Sequence, residues 1–392
     1  MNYNQEKTTV AIIGAGVAGL TLATFLQKSG ISCVVLETQS RTSVETLQRA
    51  GVVEARGVEM FERWGLADDL LAGPVAQTID YRVNGKSRIF KITEDDGKSG
   101  RFCTQQMLVN NLLKTLIDKM GGDVRFEVNN VSIQNQENEP TKVTYSDAND
   151  THEINCDYIA GCDGSRGTSR SSIPNGILTK HSYEFGYSWL AAHVEAPVTG
   201  HPIMAVSDYG FVGQLPRGPQ RSRYYLQCDL SDGPQDWSDE RFWDEVRLRL
   251  NDSTIQNTTV IDRQFVPLRS VVYSPMQHRN LFLAGDVAHL VPPTSAKGMN
   301  LALYDIDILA QAFLNAVNDN DLTALHEYSN TCLPHIWTYQ DFAISMTNLM
   351  HDAGNPRQHG KFRQMTARAQ LDTLFSSPTA MQLHSEYQKG KI

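Results

Sequence analysis

From Thr9 the chain is largely apolar, "TVAIIGAGVAGLTLATFLQKSG", and a strand-like stretch from Val10 to Ile13 leads directly into Gly14, Gly16 and Gly19. A helix-periodic segment follows and ends near Gly30. The next apolar run, "ISCVVLE", predicts a buried strand that stops at Glu37. Strand, glycine turn, helix, strand and terminal acid in that order form the pattern of a dinucleotide-binding βαβ unit. Gly14 permits the tight turn, Gly16 admits a pyrophosphate close to the backbone, Gly19 lets helix and strand pack, and Glu37 can accept from a ribose hydroxyl. No second glycine fingerprint occurs in a strand-helix setting, so one dinucleotide is expected to be held permanently.

Further along, a helix is predicted from Gln105 to about Lys119. Short alternating runs, "DVRFEV", "KVTYSD" and "HEINCDYIAGCDG", then predict an antiparallel appendage that returns to the nucleotide sheet. From about Tyr183 to Arg269 a second β-rich region appears, with "RSRYYLQCDL" as its clearest strand and a helix after Ser238. A strand at Leu281 re-enters the first domain, and from Gly298 onward the pattern is mostly helical. The expected architecture is α/β. A discontinuous nucleotide domain (1–75, 101–180 and 270–320) holds an inserted β-sheet substrate domain (76–100 and 181–269), and a helical region (321–392) closes over their interface. Ligand chemistry belongs at that interface.

Composition narrows the partners. The 392 residues are 41% hydrophobic, enough for a sizeable core, and 35 basic against 44 acidic residues give a net charge of -9. With no long run of one sign, a nucleic-acid partner is not expected. The six cysteines are scattered without a CxxC pair, which suits buried thiols in a reducing compartment and no metal site. No signal-like start and no apolar run of membrane-spanning length is present, so a cytoplasmic protein is expected.

The most informative stretch is "LFLAGDVAHLVPPTSAKGMN", where a buried strand stops at Gly285-Asp286, crosses two prolines and opens a helix. Alone, Asp286 reads equally well as a turn or cap residue. Together with "GAGVAG" and "AGCDGSRGTSR" it resembles the single-component FAD aromatic hydroxylases. Over nearly the whole chain the resemblance is to the 4-hydroxybenzoate 3-hydroxylase subgroup, since "RSRYYLQ", "WSDERFW", "PLRS", "PMQH" and "LFLAGD" occur in family order.

That resemblance implies a Rossmann-like FAD-binding domain of the glutathione-reductase type. Asp286 would bind the flavin ribitol, and the helix starting near Gly298 would aim its free amides, with Lys297, Met299 and Asn300, at the flavin pyrimidine. Arg49 would reach the FAD pyrophosphate, Gln105 would contact the flavin, and Asp163 would serve both FAD and NAD(P)H. Arg166, Arg170 and Arg269 match positions facing the nicotinamide nucleotide, although each also reads as a solvated surface arginine. Thr38, Ser43 and Leu47 stand where NADPH-using relatives carry Arg or Tyr, so NADH is favoured, with Arg41 as a substitute phosphate contact.

The implied reaction is flavin reduction by NAD(P)H, addition of O2 to give a C4a-hydroperoxide, and transfer of one oxygen to an electron-rich ring. Arg217 matches the arginine that anchors a substrate carboxylate, Tyr225 the tyrosine assisting it, and Arg223 a neighbour that affects flavin position. Tyr387 matches the tyrosine of a proton relay, and Pro293 would present its carbonyl to the ring. Three departures stand out: Met204 replaces a phenol-activating tyrosine, Leu215 a carboxylate-binding serine, and Ala76 the histidine ending the relay. The expected substrate is therefore a small aromatic carboxylic acid similar to 4-hydroxybenzoate. An aminobenzoate, a larger ring metabolite, and a flavin-bearing binding or redox-sensing protein are the alternatives. Whether the chain forms a homodimer stays open.

Overall fold

Parallel strands alternating with helices must be buried on both faces, whereas hairpin-connected strands can expose one, and the chain builds one sheet of each kind. The computed structural model describes residues 5–46, 51–92, 99–135, 137, 139–196, 200–217, 220–351 and 360–392. The first sheet contains β1 (Gln5–Ile13), β2 (Cys33–Leu36), β5 (Asp123–Arg125), β6 (Asn129–Gln134), β7 (Lys142–Ser146), β8 (Thr151–Gly161), β14 (Gln277–His278) and β15 (Leu281–Leu283). The second contains β3 (Thr78–Val83), β4 (Lys86–Lys91), β9 (Thr179–Val194), β10 (Ile203–Ser207), β11 (Gly210–Pro216), β12 (Ser222–Asp229), β13 (Val260–Ser274) and β16 (His289–Leu290).

In the first sheet the order is β14-β15-β8-β1-β2-β5, with β6 and β7 attached to β8. Its register explains the site. Ile13 pairs with Gly161, and Gly161 pairs with Leu283, all on parallel strands. The turns at Gly14, Asp163 and Asp286 therefore leave the carboxyl edge of the sheet side by side, where open α/β sheets bind ligands. Two expectations need correction here. The runs "DVRFEV" and "HEINCDYIAG" are not parts of an antiparallel appendage, because β5 pairs parallel to β2 and β8 pairs parallel to β1. In this region the antiparallel pairs are β6 with β7 and β7 with β8, and β14 pairs antiparallel with β15 at the sheet's edge.

Helices α1 (Val17–Lys28), α2 (Arg41–Thr46), α3 (Ala55–Arg63), α4 (Ala67–Leu70) and α5 (Gln105–Leu113) come from the first part of the chain. A π-helical turn continues α5 to Lys119. The second sheet carries α6 (Asp239–Leu250), capped by the Ser238 side chain, on one face. Trp243 and Phe242 are buried there beneath Leu190, Tyr224 and Leu226. The other face is covered by α9 (Tyr328–His351), α10 (Gly360–Ser376) and α11 (Pro378–Lys389), whereas α7 (Gly298–Asn318) packs on α1 and the first sheet, with α8 (Thr323–His326) beside it. Among the described residues no helix is long and apolar enough to cross a membrane.

Candidate active site

Gly14 has φ of 103°, which only glycine adopts without strain, and a Cβ there would stand 2.6 Å from the Cys162 carbonyl. At Gly19 a Cβ would collide with the Gly14 carbonyl. Gly16 is different, because nothing lies within 4 Å of where its Cβ would be. It is also the N-cap of α1, and no side chain caps that helix end. An open cradle against uncapped amides fits a pyrophosphate, which is the group the turn is expected to hold. The Glu37 carboxylate accepts from the amides of Ala15, at 2.7 Å, and Gln39, at 2.8 Å, so it closes the rim of this cradle.

Next to it, α7 starts after Ala296, whose φ of 54° turns the chain sharply, and its first turn has neither an acid nor a side-chain cap. Met299 and Gln105 meet at Gly51, where a Cβ would lie 2.9 Å from the Gln105 amide and 3.0 Å from the Met299 methyl. Asn300 latches the facing strand segment, accepting from Glu54 N at 3.0 Å and donating to Val52 O at 2.8 Å. Its side chain thus shapes the helix end from behind and does not point a free donor at a ligand. Lys297 departs further from expectation. It is buried and turns away into the helical region, ion-paired with Glu54 and donating to the Tyr387 carbonyl. Arg49, expected at the pyrophosphate, lies outside the described residues, as does Leu47.

The turn bearing Asp286 is held from below. Gly285 N donates to Asp305 at 2.9 Å, and the same carboxylate oxygen lies 2.6 Å from Nε2 of His289. Burial opposes a charge on His289, yet Asp305 and then Asp286 outweigh it and hold the imidazolium above its ordinary value. Arg170 spends its donors on the carbonyls of Val287, at 2.7 Å, and Ser165, at 2.9 Å, while lying over the Tyr273 ring. It clamps the Asp163 turn to the Asp286 turn, a structural task in place of the nucleotide contact expected of it. Asp163 accepts from Ser169 N at 2.8 Å, and burial pushes its carboxyl up. Arg166 and Arg269 are exposed.

The expected substrate residues share one face of the second sheet, as its register shows. Tyr81, Met204, Gly213, Tyr225 and Ala191 form one row across the strands. Leu215, Arg223, His193 and Asp262 form the next. Arg217 follows at the end of β11, with Nη1 on the Pro216 carbonyl at 3.0 Å and a buried Nη2 that has no partner among the described residues. Burial lowers its affinity for a proton, the Tyr225 hydroxyl favours its charge, and Arg223 opposes it.

Helix α9 lies over this face. His351 stacks on Phe211 at 4.3 Å between ring centres and receives the Trp189 indole N–H at 2.5 Å. Its Nδ1 lies 2.9 Å from the Thr347 carbonyl and must carry the proton, so the imidazole is a fixed neutral tautomer, with burial taking its pKa to about 3. Thr347 in turn meets Thr294, beside Pro293, at 3.0 Å. Pro293 is exposed and its carbonyl already accepts from Ala296 N at 3.0 Å. Tyr387 stacks on Phe342 at 4.6 Å. Ala76 is fully buried and offers no side chain to a relay.

Sequence reasoning missed His351, His193, Asp305, Glu54 and the Tyr81–His384 pair, whose hydroxyl and Nε2 are 3.1 Å apart. None lies in a recognisable motif, and each becomes meaningful only through a partner distant in sequence.

Comparisons with known proteins agree with this geometry. The FAD binding domain family matches residues 7–343. A p-hydroxybenzoate hydroxylase of Acinetobacter baylyi is 36% identical over 88% of this chain and 86% of its own. A probable NADH-specific resorcinol 4-hydroxylase of Rhodococcus jostii is 26% identical over 87% of this chain and 65% of its own. In fold, the crystal structure of p-nitrophenol 4-monooxygenase from Pseudomonas putida superimposes with a TM-score of 0.84 at 20% identity, covering 99% of this chain and 100% of that one. The matched span takes in the glycine cradle, the Asp286 turn and the sheet face bearing Arg217, and the chain belongs to the family of FAD-dependent aromatic monooxygenases.

Proposed function

We propose that this monooxygenase consumes NAD(P)H to hydroxylate a small aromatic carboxylic acid, with Arg217 as the carboxylate anchor. The observation that carries the reading is Arg217 itself, a largely buried guanidinium with a free Nη2 and no carboxylate partner among the described residues. A buried cation without a counter-ion is costly, and an anionic ligand removes that cost. Tyr225 borders it and is itself packed on the Trp189 ring.

The residues present fit FAD. The cradle at Gly16 and the start of α1 would hold the pyrophosphate, Asp286 the ribitol, and the open start of α7 the pyrimidine. When bound, FAD supplies the redox chemistry that draws reducing equivalents from NAD(P)H and activates O2. The protein's own groups have three tasks. Arg217 and Tyr225 orient the ring, α9 with His351, Trp189 and Phe211 keeps water out, and the amides of α7 favour negative charge at their end of the site. Among the described residues no side chain on this face stands ready as nucleophile, which agrees with a reaction whose bond-making lies with the cofactor.

The departures at Met204, Leu215 and Ala76 support a substrate that needs no phenol deprotonation, an aminobenzoate or a ring activated at another position. For the nicotinamide, the reading is NADH. Arg41, the one substitute phosphate contact, is already ion-paired with Glu45 at 2.7 Å. The test is a panel of substituted benzoates with NADH or NADPH, measuring nicotinamide oxidation and oxygenated product. Stimulated oxidation with product supports the reading, and a protein indifferent to every aromatic acid contradicts it.

A further inference from the structure

We propose that His193 binds a hydrogen-bond-donating substituent, an amino or hydroxyl group, at the carboxylate end of the substrate ring. The inference rests on Arg217 being the carboxylate anchor and goes on to define the substrate class.

His193 is a buried residue on β9, with 7% of its surface exposed. It stands in the cross-strand row Leu215, Arg223, His193, Asp262, on the face that carries Met204 and Tyr225. Its Nδ1 lies 2.9 and 3.0 Å from the two oxygens of Asp262. A carboxylate only accepts, so Nδ1 holds the proton and the neutral ring leaves Nε2 as an acceptor. Nε2 is buried and has no partner among the described residues. Burial keeps the ring neutral, and Arg223 and Arg217 add to that against the pull of Asp262.

Two orphans therefore face a shared ligand from the same end of the sheet: a donor, Arg217 Nη2, and an acceptor, His193 Nε2. Buried polar atoms left without hydrogen bonds are costly, so the natural ligand is expected to satisfy both. A carboxylate satisfies only the arginine, since it has no proton to give. The ligand must carry a donor as well, close to the carboxylate. Leu215, next to Arg223 in the same row, offers no polar group, so His193 is the group in the row left to read that donor.

The test uses the FAD-loaded protein and measures binding through the flavin spectrum. The probes are benzoate, its 2- and 3-amino and 2- and 3-hydroxy derivatives, and the matching methyl compounds, which keep about the same size and lose the donor. Wild type should bind at least one donor compound about tenfold tighter than its methyl partner. In His193→Leu that ratio should fall to near one while benzoate itself binds almost as before, and His193→Gln, which retains an acceptor, should restore part of it. An unchanged ratio in His193→Leu, or no donor preference in wild type because water fills the position, overturns the assignment. Failure of every benzoate to bind wild type instead refutes the reading of Arg217, and His193 falls with it.

Discussion

The carboxylate of Asp305 lies 2.6 Å from Nε2 of His289, both side chains are shut off from solvent, and the same oxygen receives the amide of Gly285, beside Asp286. The site's most important turn is thus fastened by a buried pair at the base of α7. Asp305→Ala leaves a buried imidazole and amide without their acceptor, a loss of about 3–5 kcal/mol by the measure of broken buried pairs. Chemical unfolding checks it, and a variant as stable as wild type would show that the brace is idle.

The same pair has a pH signature. Because Asp305 raises the His289 pKa in the folded chain, its stabilisation is fully present below the ordinary histidine value and is lost as pH rises through the raised one. Wild type should therefore lose more stability than His289→Gln between neutral and alkaline pH. Unfolding curves at a series of pH values decide it, and parallel curves for the two proteins would contradict it.

The three glycines of the cradle should separate folding from cofactor binding. Gly16→Val fills open space, so the protein should fold normally and purify without its yellow colour. Gly14→Ala and Gly19→Ala press a methyl into backbone and should fail as folded proteins. Circular dichroism and flavin absorbance distinguish the cases, and a yellow Gly16→Val would refute the pyrophosphate assignment.

Much of this was legible because it is local. The βαβ unit showed in apolar periodicity and glycine spacing, and the second sheet in turn-separated runs, since a strand's face and a helix's stripe are written in consecutive residues. What escaped were relationships set by distant partners. The His351–Trp189 pair spans 162 positions and the Lys297–Glu54 pair 243, and burial, which gives both their force, is not visible in either neighbourhood. The run at Thr151–Gly161 was misread for a similar reason: alternation does not say which neighbour a strand will pair with. Lys297 and Arg170 sit in motifs expected to face a ligand, yet their long side chains reach away to protein carbonyls and a carboxylate.

The Lys297–Glu54 pair, beneath the start of α7, should behave asymmetrically. Glu54→Gln leaves a buried ammonium without its counter-charge and should cost about 3–5 kcal/mol, whereas Lys297→Met with Glu54→Leu should recover most of that. A double-mutant cycle on thermal stability checks it. Additive losses would show that the two charges do not act as a pair.

Met204 and Leu215 lie on the face proposed to receive the substrate. Met204→Tyr with Leu215→Ser returns two hydroxyls to the face and should tighten 4-hydroxybenzoate binding by about tenfold per hydrogen bond regained. Titration of the flavin spectrum measures it. Tight 4-hydroxybenzoate binding by the unaltered protein would show that these positions do not set selectivity.

The central claim is that an aromatic acid anchored by Arg217 receives one atom of O2 at the expense of NAD(P)H, and isotope-labelled dioxygen tests it most directly. With the best benzoate of the panel, wild type should place one labelled oxygen on the ring for each NAD(P)H consumed, and Arg217→Ala should lose substrate binding by the hundredfold or more that about 3–5 kcal/mol represents. Unlabelled product, or labelled product made equally well by Arg217→Ala at low substrate concentration, would contradict it.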